Sequence, residues 1–127
     1  MSTYQKTKLE LKNITKHFDD TYVINNISLH VNKNELVSII GPSGCGKSTL
    51  LNIISGLIEP DKGKILVNNK EHKDRRGLVS YMVQKDLLLP WLKIIDNVIL
   101  SKTLKGVNKK KARKKAKKYF KIFGLEG

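Results

Sequence analysis

Residues 41–49 carry the side chains best suited to binding phosphate. In order they are Gly41, Pro42, Ser43, Gly44, Cys45, Gly46, Lys47, Ser48 and Thr49, which fits the phosphate-loop pattern G-x-x-x-x-G-K-[ST]. Glycines let the backbone turn tightly, so that successive N–H groups face phosphate oxygens. Lys47 supplies an ammonium group for the β and γ phosphates, and the Ser48 hydroxyl is a hard ligand suited to Mg²⁺. The segment therefore predicts binding of a nucleoside triphosphate with magnesium.

The segments on either side of this loop distinguish a phosphate site from an ordinary glycine-rich turn. A chain of this composition matches the pattern by chance in roughly one of a hundred shuffles. Residues 36–40 are almost wholly apolar, which predicts a strand covered on both faces, as in a parallel sheet. After the loop, apolar residues recur at helical spacing, with Gly56 near the end of the series: Leu50, Leu51, Ile53, Ile54 and Leu57. A strand leading in and a helix leading out favour the phosphate site.

The rest of the chain divides into strands, turns and one long helix. Alternating or short apolar runs predict strands over 9–14, 27–31, 65–67 and 78–83. Asp, Asn, Pro and Gly residues predict turns at 19–20, 32–34, 68–69 and, as a type I turn, 60–63. A helix is predicted over 109–123, with Asn108 as its N-cap and Gly124 just past its end. Its apolar stripe comprises Ala112, Ala116, Tyr119, Phe120 and Phe123.

Length and composition limit the class of protein. The chain has 127 residues, of which 39% are apolar and 28% charged, so it suits one folded domain and excludes a disordered polymer. Its one cysteine, Cys45, cannot form an internal disulfide and indicates a reducing compartment. Residues 1–20 lack the apolar core of a secretion signal, and the uncharged stretch 48–58 is too short to span a bilayer. Together these features predict a soluble cytoplasmic protein.

The net charge of +14 is concentrated near the C-terminus. Residues 1–100 carry 14 basic and 10 acidic residues, whereas residues 101–127 carry 11 and 1. The lysine-rich helix is interpreted either as a solvated face or as a surface for anionic lipid. Nucleic acid is an unlikely partner, because the aromatic residues lie on the apolar stripe instead of among the lysines. The histidines at 17, 30 and 72 lack metal-ligand spacing, so no metal is assigned to them.

The order of several short segments resembles the ATP-binding subunit of ABC transporters. These segments are I-T-K-H-F at 14–18, I-S-L at 27–29, the loop at 41–49, and Val83-Gln84. D-R-R-G at 74–77, L-L-P-W-L at 88–92 and D-N-V at 96–98 are similar to the importer branch for nitrate, taurine and aliphatic sulfonates. The resemblance extends from about residue 9 to residue 127. It implies an α/β fold, in which a P-loop NTPase core carries an N-terminal antiparallel β subdomain and an incomplete helical subdomain.

The resemblance also implies domain limits and residue roles. Within 1–127, the β subdomain and P-loop core would cover about 1–86, and the start of the helical subdomain about 87–127. Phe18 takes the place of the aromatic residue that stacks on adenine, with simple packing as the alternative. Gln84 matches the Q-loop glutamine, which reaches Mg²⁺ and the attacking water; a turn or capping amide is the alternative. The implied catalytic residues are Lys47 and Gln84, the implied metal ligands are Ser48 and Gln84, and the implied ligands are ATP and Mg²⁺.

Residues 87–92 form an apolar run that a proline interrupts. Such a run predicts either a contact surface or the core of the helical subdomain. The family places the coupling helix of a membrane permease nearby, so the resemblance implies a permease contact at Leu89, Pro90 and Trp91. It also implies a second ATP-binding subunit in the intact protein, and a cytoplasmic location on the inner face of the cell membrane.

Three functions remain open at this point. The first is an ATP-binding subunit that powers an importer for a small anion. The second is a non-catalytic nucleotide-binding or interaction module whose basic helix contacts anionic lipid or RNA, and the third is a soluble ABC ATPase without a permease, which residues 89–91 disfavour. The family's L-S-G-G-Q signature, its second acidic motif and its switch histidine do not occur in these 127 residues. We therefore expect the N-terminal part of a longer protein, with little ATPase activity alone, since the water would lack its general base.

Overall fold

The computed structural model describes residues 6–85 and 87–125. The chain divides into two compact units, Met1–Tyr81 and Met82–Gly127. The first contains strands β1 (Thr7–Phe18) and β2 (Thr21–Asn32), helix α1 (Lys47–Ser55), and strands β3 (Lys62–Val67) and β4 (Lys70–Glu71). The second contains helices α2 (Ile94–Leu104) and α3 (Lys109–Ile122). The predicted domain limits at 86 and 127 fall on residues outside the described ones, so that division stays a prediction.

The four strands form one antiparallel sheet in the order β2-β1-β3-β4. The strands predicted over 9–14, 27–31 and 65–67 are confirmed as parts of β1, β2 and β3. The predicted turn at 19–20 joins β1 to β2, and Asn68 and Asn69 turn β3 into β4 with φ angles of 51° and 62°. Asparagine tolerates this left-handed conformation better than most residues, which explains its use here.

Helix α1 packs its apolar face on this sheet. Leu50, Ile53 and Ile54 are buried on the helix, as predicted from their spacing. They belong to one core cluster with the buried strand residues Leu11, Ile14, Ile24 and Ile65. Leu51 and Leu57 are exposed, so the apolar stripe of α1 is narrower than the sequence indicates. The helix ends at Gly56, whose φ of 81° is left-handed.

Residues 36–40 do not form the predicted buried strand. They have no regular secondary structure, and Leu36 and Ile40 are each 93% exposed. The strand predicted over 78–83 is also wrong, because the structure has there only an isolated parallel bridge between Arg76 and Val79. A strand covered on both faces needs parallel neighbours and helices above and below it. Within 6–85 and 87–125, the one sheet is antiparallel and provides no such neighbour.

The type I turn predicted at 60–63 is replaced by a bend and the start of a strand. The chain bends at Asp61 and enters β3 at Lys62. The N–H of Asp61 donates to the Thr15 carbonyl at 2.9 Å, and the Asp61 carboxylate accepts from the N–H of His17 at 2.7 Å. Asp61 is thus bonded to β1 and does not close a local turn.

The second unit contains the predicted C-terminal helix and one helix that the sequence analysis missed. The Asn108 side chain accepts from the N–H groups of Lys110 (2.9 Å) and Lys111 (3.4 Å), which confirms it as the N-cap of α3. Ala112 and Ala116 are buried in one cluster with Ile99 of α2. The aromatic residues further along the predicted stripe, Tyr119 and Phe123, are exposed. Among the described residues, no helix has both the length and the apolar character needed to cross a bilayer.

An ion pair joins α2 to α3. The Asp96 carboxylate accepts from the Arg113 guanidinium at 2.7 and 2.9 Å and lies 3.3 Å from the Lys109 ammonium. The hydrogen bonds from Arg113, followed by the one from Lys109, hold the pKa of Asp96 below its ordinary value. Asp96 also lies in the first turn of α2, where the helix dipole favours a negative charge.

We expect Asp96→Asn to destabilise the second unit in a pH-dependent way. A lowered folded-state pKa stabilises the fold above the ordinary aspartate pKa of about 3.9, and this contribution is lost as the pH falls through the lowered value. The difference in urea midpoint between parent and variant should therefore be present at pH 5–7 and shrink below about pH 4. Trp91, the one tryptophan, reports the transition. Lys117→Met, which removes an exposed ammonium from α3, is the control, and a difference unchanged down to pH 2 would contradict the role of the pair.

Candidate nucleotide-binding site

The predicted phosphate loop is a tight turn that leads directly into α1. Residues 43–46 turn or bend, and α1 begins at Lys47. The N–H of Cys45 donates to the Pro42 carbonyl at 3.4 Å, and Gly44 and Gly46 have φ angles of 81° and 96°. Such left-handed positions are strained for residues with a side chain, which explains glycine at both.

The first turn of α1 offers backbone donors to an anion. Its N-cap is Gly46, which has no side chain with which to cap the helix, and its first three residues are Lys47, Ser48 and Thr49, none of them acidic. The first N–H groups of a helix have no partner within the helix, and the helix dipole adds positive potential at the same end. This is the arrangement that binds phosphate in P-loop proteins.

The Lys47 side chain lies over its own loop. Its ammonium group donates to the carbonyl oxygens of Gly41 at 2.8 Å and Pro42 at 2.6 Å, and it lies 3.5 Å from the Cys45 sulfur. The ammonium is therefore already at the loop, on a flexible four-carbon stem. A phosphate bound in the loop would exchange these neutral acceptors for charged oxygens, which form stronger hydrogen bonds with an ammonium group.

Strand β2 fixes the end of the loop that meets α1. A Cβ atom placed on Gly46 would lie 2.7 Å from the Val23 carbonyl oxygen and 2.9 Å from Cδ1 of Ile24. Val23 is the extra residue at a register shift, because Lys16 pairs with Ile24 while His17 pairs with Tyr22. A bulge of this kind bends a strand locally, and here its backbone lies directly against the loop.

Ser48 has the chemistry and the position expected of a magnesium ligand. Its hydroxyl is exposed in the first turn of α1, beside Lys47. Mg²⁺ in nucleotide sites takes most of its ligands from phosphates and water, with only one or two from the protein. Among the described residues, no group of three or more His, Cys, Asp or Glu side chains could hold a metal ion by itself. The donor set therefore fits Mg²⁺ that arrives with a triphosphate.

The other two predicted site residues lie in different units. Phe18 is the last residue of β1 and is 46% exposed, so part of its ring is open to a ligand. Gln84 is exposed in the irregular segment at the start of the second unit. The adenine-stacking role of Phe18 and the approach of Gln84 to the loop both stay predictions.

The predicted permease contact is an exposed turn that Asn97 holds in place. The Asn97 side chain accepts from the N–H of Leu89 at 2.8 Å and donates to the carbonyls of Leu89 and Leu92, both at 3.2 Å. Trp91 lies within this turn and is 76% exposed. Asn97 belongs to the D-N-V segment at 96–98, and no local pattern in the sequence indicates its anchoring role. Trp91 is thus not buried among the described residues, and the permease contact stays a prediction.

A glycine loop at the N-terminal end of a helix is the arrangement expected of a P-loop nucleotide-binding protein, and comparison with known proteins defines the family. The family model described as ABC transporter matches residues 24–127. The chain therefore belongs to the ABC transporter family. It is also similar to the ATP-binding cassette MJ0796 in a dimeric post-hydrolysis state bound to ADP and Pi, with a TM-score of 0.79 and 34% identity over 93% of this chain and 58% of that one. The predicted fold class is confirmed.

Curated relatives with different import functions match much of the chain. It is 44% identical over 105 residues to the formylaminopyrimidine import ATP-binding protein ThiZ of Halalkalibacterium halodurans, covering 83% of this chain and 40% of ThiZ. It is 36% identical over 104 residues to the taurine import protein TauB of Pseudomonas aeruginosa, covering 82% and 40%. It is 37% identical over 125 residues to the spermidine/putrescine import protein PotA of Fusobacterium nucleatum, covering 96% and 33%. The chain thus spans between a third and two fifths of the length of these relatives.

Gly46→Ala should destabilise the first unit more than Gly44→Ala does. Both substitutions put a side chain at a left-handed φ, but only the Cβ at position 46 meets atoms within 4 Å. The shared strain costs about 1–2 kcal/mol, and displacement of Val23 should add about 1–3 kcal/mol for Gly46→Ala. Urea unfolding followed by far-UV circular dichroism measures both free energies. Equal losses for the two variants would show that β2 does not constrain the loop.

Proposed function

We propose that this chain is the nucleotide-binding part of an ATP-binding subunit that powers an ABC importer. The observation that carries the proposal is the loop at 41–49, with its left-handed glycines, its uncapped helix end and Lys47 at its carbonyls. Membership of the ABC transporter family supports ATP as the nucleotide. The similar cassette MJ0796 was solved with ADP and Pi, the products of ATP hydrolysis, which supports the same ligands here. The same membership favours this function over a non-catalytic module that binds lipid or RNA.

In this proposal, different groups of the loop bind different parts of the triphosphate. The backbone N–H groups of 41–46 and the first turn of α1 bind phosphate oxygens, and Lys47 neutralises charge on the β and γ phosphates. Ser48 would hold Mg²⁺ through its hydroxyl, and the metal would supply stabilisation of the phosphate charge when bound. Gln84 orients the water that attacks the γ-phosphate, and Phe18 stacks on adenine. Hydrolysis breaks the bond between the β,γ-bridging oxygen and the γ-phosphorus and yields ADP and Pi.

The proposed partners are a membrane permease and a second ATP-binding subunit. The turn at Leu89, Pro90 and Trp91 suits the permease, since Asn97 anchors the backbone of this turn and exposed tryptophans are frequent at the centre of interfaces. The dimeric MJ0796 cassette supports pairing of two such subunits. These partners imply a position on the inner face of the cell membrane, in contact with the cytoplasm.

The solute is proposed only by class. The similarity to TauB supports taurine, whereas nitrate and aliphatic sulfonates rest on the resemblance of residues 74–77, 88–92 and 96–98 alone. ThiZ and PotA match the same part of the chain and have other import functions, and the PotA solutes are polyamine cations. The proposal is therefore import of a small solute. Residues 88–92 and the similarity to TauB are what favour the importer branch for nitrate, taurine and aliphatic sulfonates.

Lys47→Ala should abolish most of the ATP affinity. Loss of an ammonium that binds phosphate removes charge-assisted hydrogen bonds of about 1.5–3 kcal/mol each, or roughly a 10- to 100-fold loss in affinity. Isothermal titration calorimetry with Mg-ATP measures the change. Lys70→Ala in the β3–β4 hairpin removes an exposed ammonium elsewhere and is the matched control. Equal affinities for the parent and Lys47→Ala would overturn the proposed function.

Mg-ATP should also protect Cys45 from alkylation. Cys45 is the one cysteine of the chain, is exposed, and lies within the loop at 3.5 Å from the Lys47 ammonium. A bound triphosphate covers the loop, so the rate of reaction with iodoacetamide should fall at least about tenfold at saturation. Mg²⁺ alone is the control for metal effects. In Lys47→Ala, the same concentration of Mg-ATP should protect the thiol less than in the parent, in proportion to its weaker binding, and an unchanged rate in the parent would contradict a triphosphate in the loop.

A further inference from the structure

Phe18 at the end of β1 has a cation over one face of its ring. The Lys16 ammonium lies 5.6 Å from the ring centroid, within the range of a cation–π interaction. Lys16 and Phe18 are two residues apart on one strand, so their side chains leave the same face of the sheet. Lys16 therefore occupies one side of the ring, while 46% of Phe18 remains exposed.

Asp61, which lies 45 residues further along the chain, holds Lys16 in this position. Its carboxylate accepts from the Lys16 ammonium at 2.7 Å, and from the N–H of His17 at 2.7 Å through the other oxygen. The His17 ring nitrogen Nδ1 lies 2.7 Å from that second oxygen. The hydrogen bond from Lys16, then those from His17, depress the pKa of the Asp61 carboxyl well below its ordinary range, so it is ionised at neutral pH. The Lys16 side chain is only 17% exposed.

This arrangement places a fixed positive charge over one face of the Phe18 ring. A free lysine side chain loses considerable rotamer freedom on being fixed, and the ion pair with Asp61 offsets that loss. With an ammonium on one face, only the opposite face is open to a flat ligand. The cation draws electron density toward itself, which favours stacking of an electron-rich heterocycle on the far face.

We propose that Lys16 and Asp61 are positioning residues for the adenine platform: Asp61 fixes Lys16, and Lys16 fixes Phe18 with one face open to the base. The inference rests on the proposed function, because it assumes that the nucleotide in the loop at 41–49 extends its base toward Phe18. Neither Lys16 nor Asp61 touches the nucleotide, so their effect depends on the adenine and not on the triphosphate.

The experiment compares a ligand that has the base with one that lacks it. Isothermal titration calorimetry gives dissociation constants for Mg-ATP and for magnesium tripolyphosphate with the 127-residue chain and its variants. Lys16→Met removes the charge but keeps a long side chain, Lys16→Arg keeps the charge, and Asp61→Asn removes the anchor. Phe18→Leu removes the platform. Tyr119→Leu is the matched control, since Tyr119 is an exposed aromatic residue (47%) on α3.

The proposal predicts a selective loss. Phe18→Leu should weaken Mg-ATP binding about tenfold or more, and Lys16→Met and Asp61→Asn about three- to tenfold, with tripolyphosphate binding unchanged. Lys16→Arg and Tyr119→Leu should bind both ligands like the parent. In the Phe18→Leu background, Lys16→Met should cause no further loss, because its effect acts through the ring.

Two outcomes would overturn the proposal. One is an equal loss of ATP and tripolyphosphate affinity in Lys16→Met and Asp61→Asn, which would indicate a general structural effect. The other is a loss in Lys16→Met that persists undiminished in the Phe18→Leu background. If Asp61→Asn does not fold, the comparison of Lys16→Met with Lys16→Arg tests the same ion pair, because only the arginine keeps a positive charge for Asp61 to bind. Failure of the proposed function is distinguishable, since then Lys47→Ala would leave the binding of both ligands unchanged.

Discussion

The burial of α1 against the antiparallel sheet is the interaction on which the site depends. The helix has nine residues, too few to be stable alone in water. Leu50, Ile53 and Ile54 are each at most 7% exposed, and burial of such side chains contributes about 1.5–3 kcal/mol apiece. That packing fixes the direction of the helix axis, and with it the direction of the N–H groups in the first turn. The position of the candidate phosphate site is thus set by core residues of α1 and the sheet.

One irregularity in the β1–β2 hairpin serves both halves of the candidate site. The register shift at Val23 brings a strand backbone against Gly46, which fixes the loop. The same shift lies between the pairs formed by Lys16 and His17, directly before Phe18. A bulge redirects the strand at one point, so a regular ladder would not place the Val23 backbone and the Phe18 ring in these positions. The loop at 41–49 and the ring of Phe18 are therefore both positioned by the same few residues at the end of the β1–β2 hairpin.

The features predicted correctly from the sequence are those that short-range chemistry determines. The glycine loop, the N-cap Asn108 and the turn at 68–69 depend on residues within a few positions of one another. The strand predicted over 36–40 is wrong. An apolar run indicates only that a segment favours burial, while a parallel strand also requires neighbouring strands from distant parts of the chain. The contact of Asp61 with Lys16 spans 45 residues and no local pattern indicates it. Helix α2 was missed because its apolar residues do not form one stripe.

The two ends of the phosphate loop are held by different means, which gives Lys47 a second role. The end at Gly46 is fixed by α1 and by Val23. At the other end, the ammonium group of Lys47 binds the carbonyls of Gly41 and Pro42, which follow the irregular residues 36–40. In the proposed function, a phosphate that draws the ammonium away from these carbonyls would also bind the neighbouring N–H groups, so it would replace the contacts that it removes. Ligand binding and the order of the loop would then be linked through one side chain, and part of the affinity would depend on how strongly Lys47 binds its own loop.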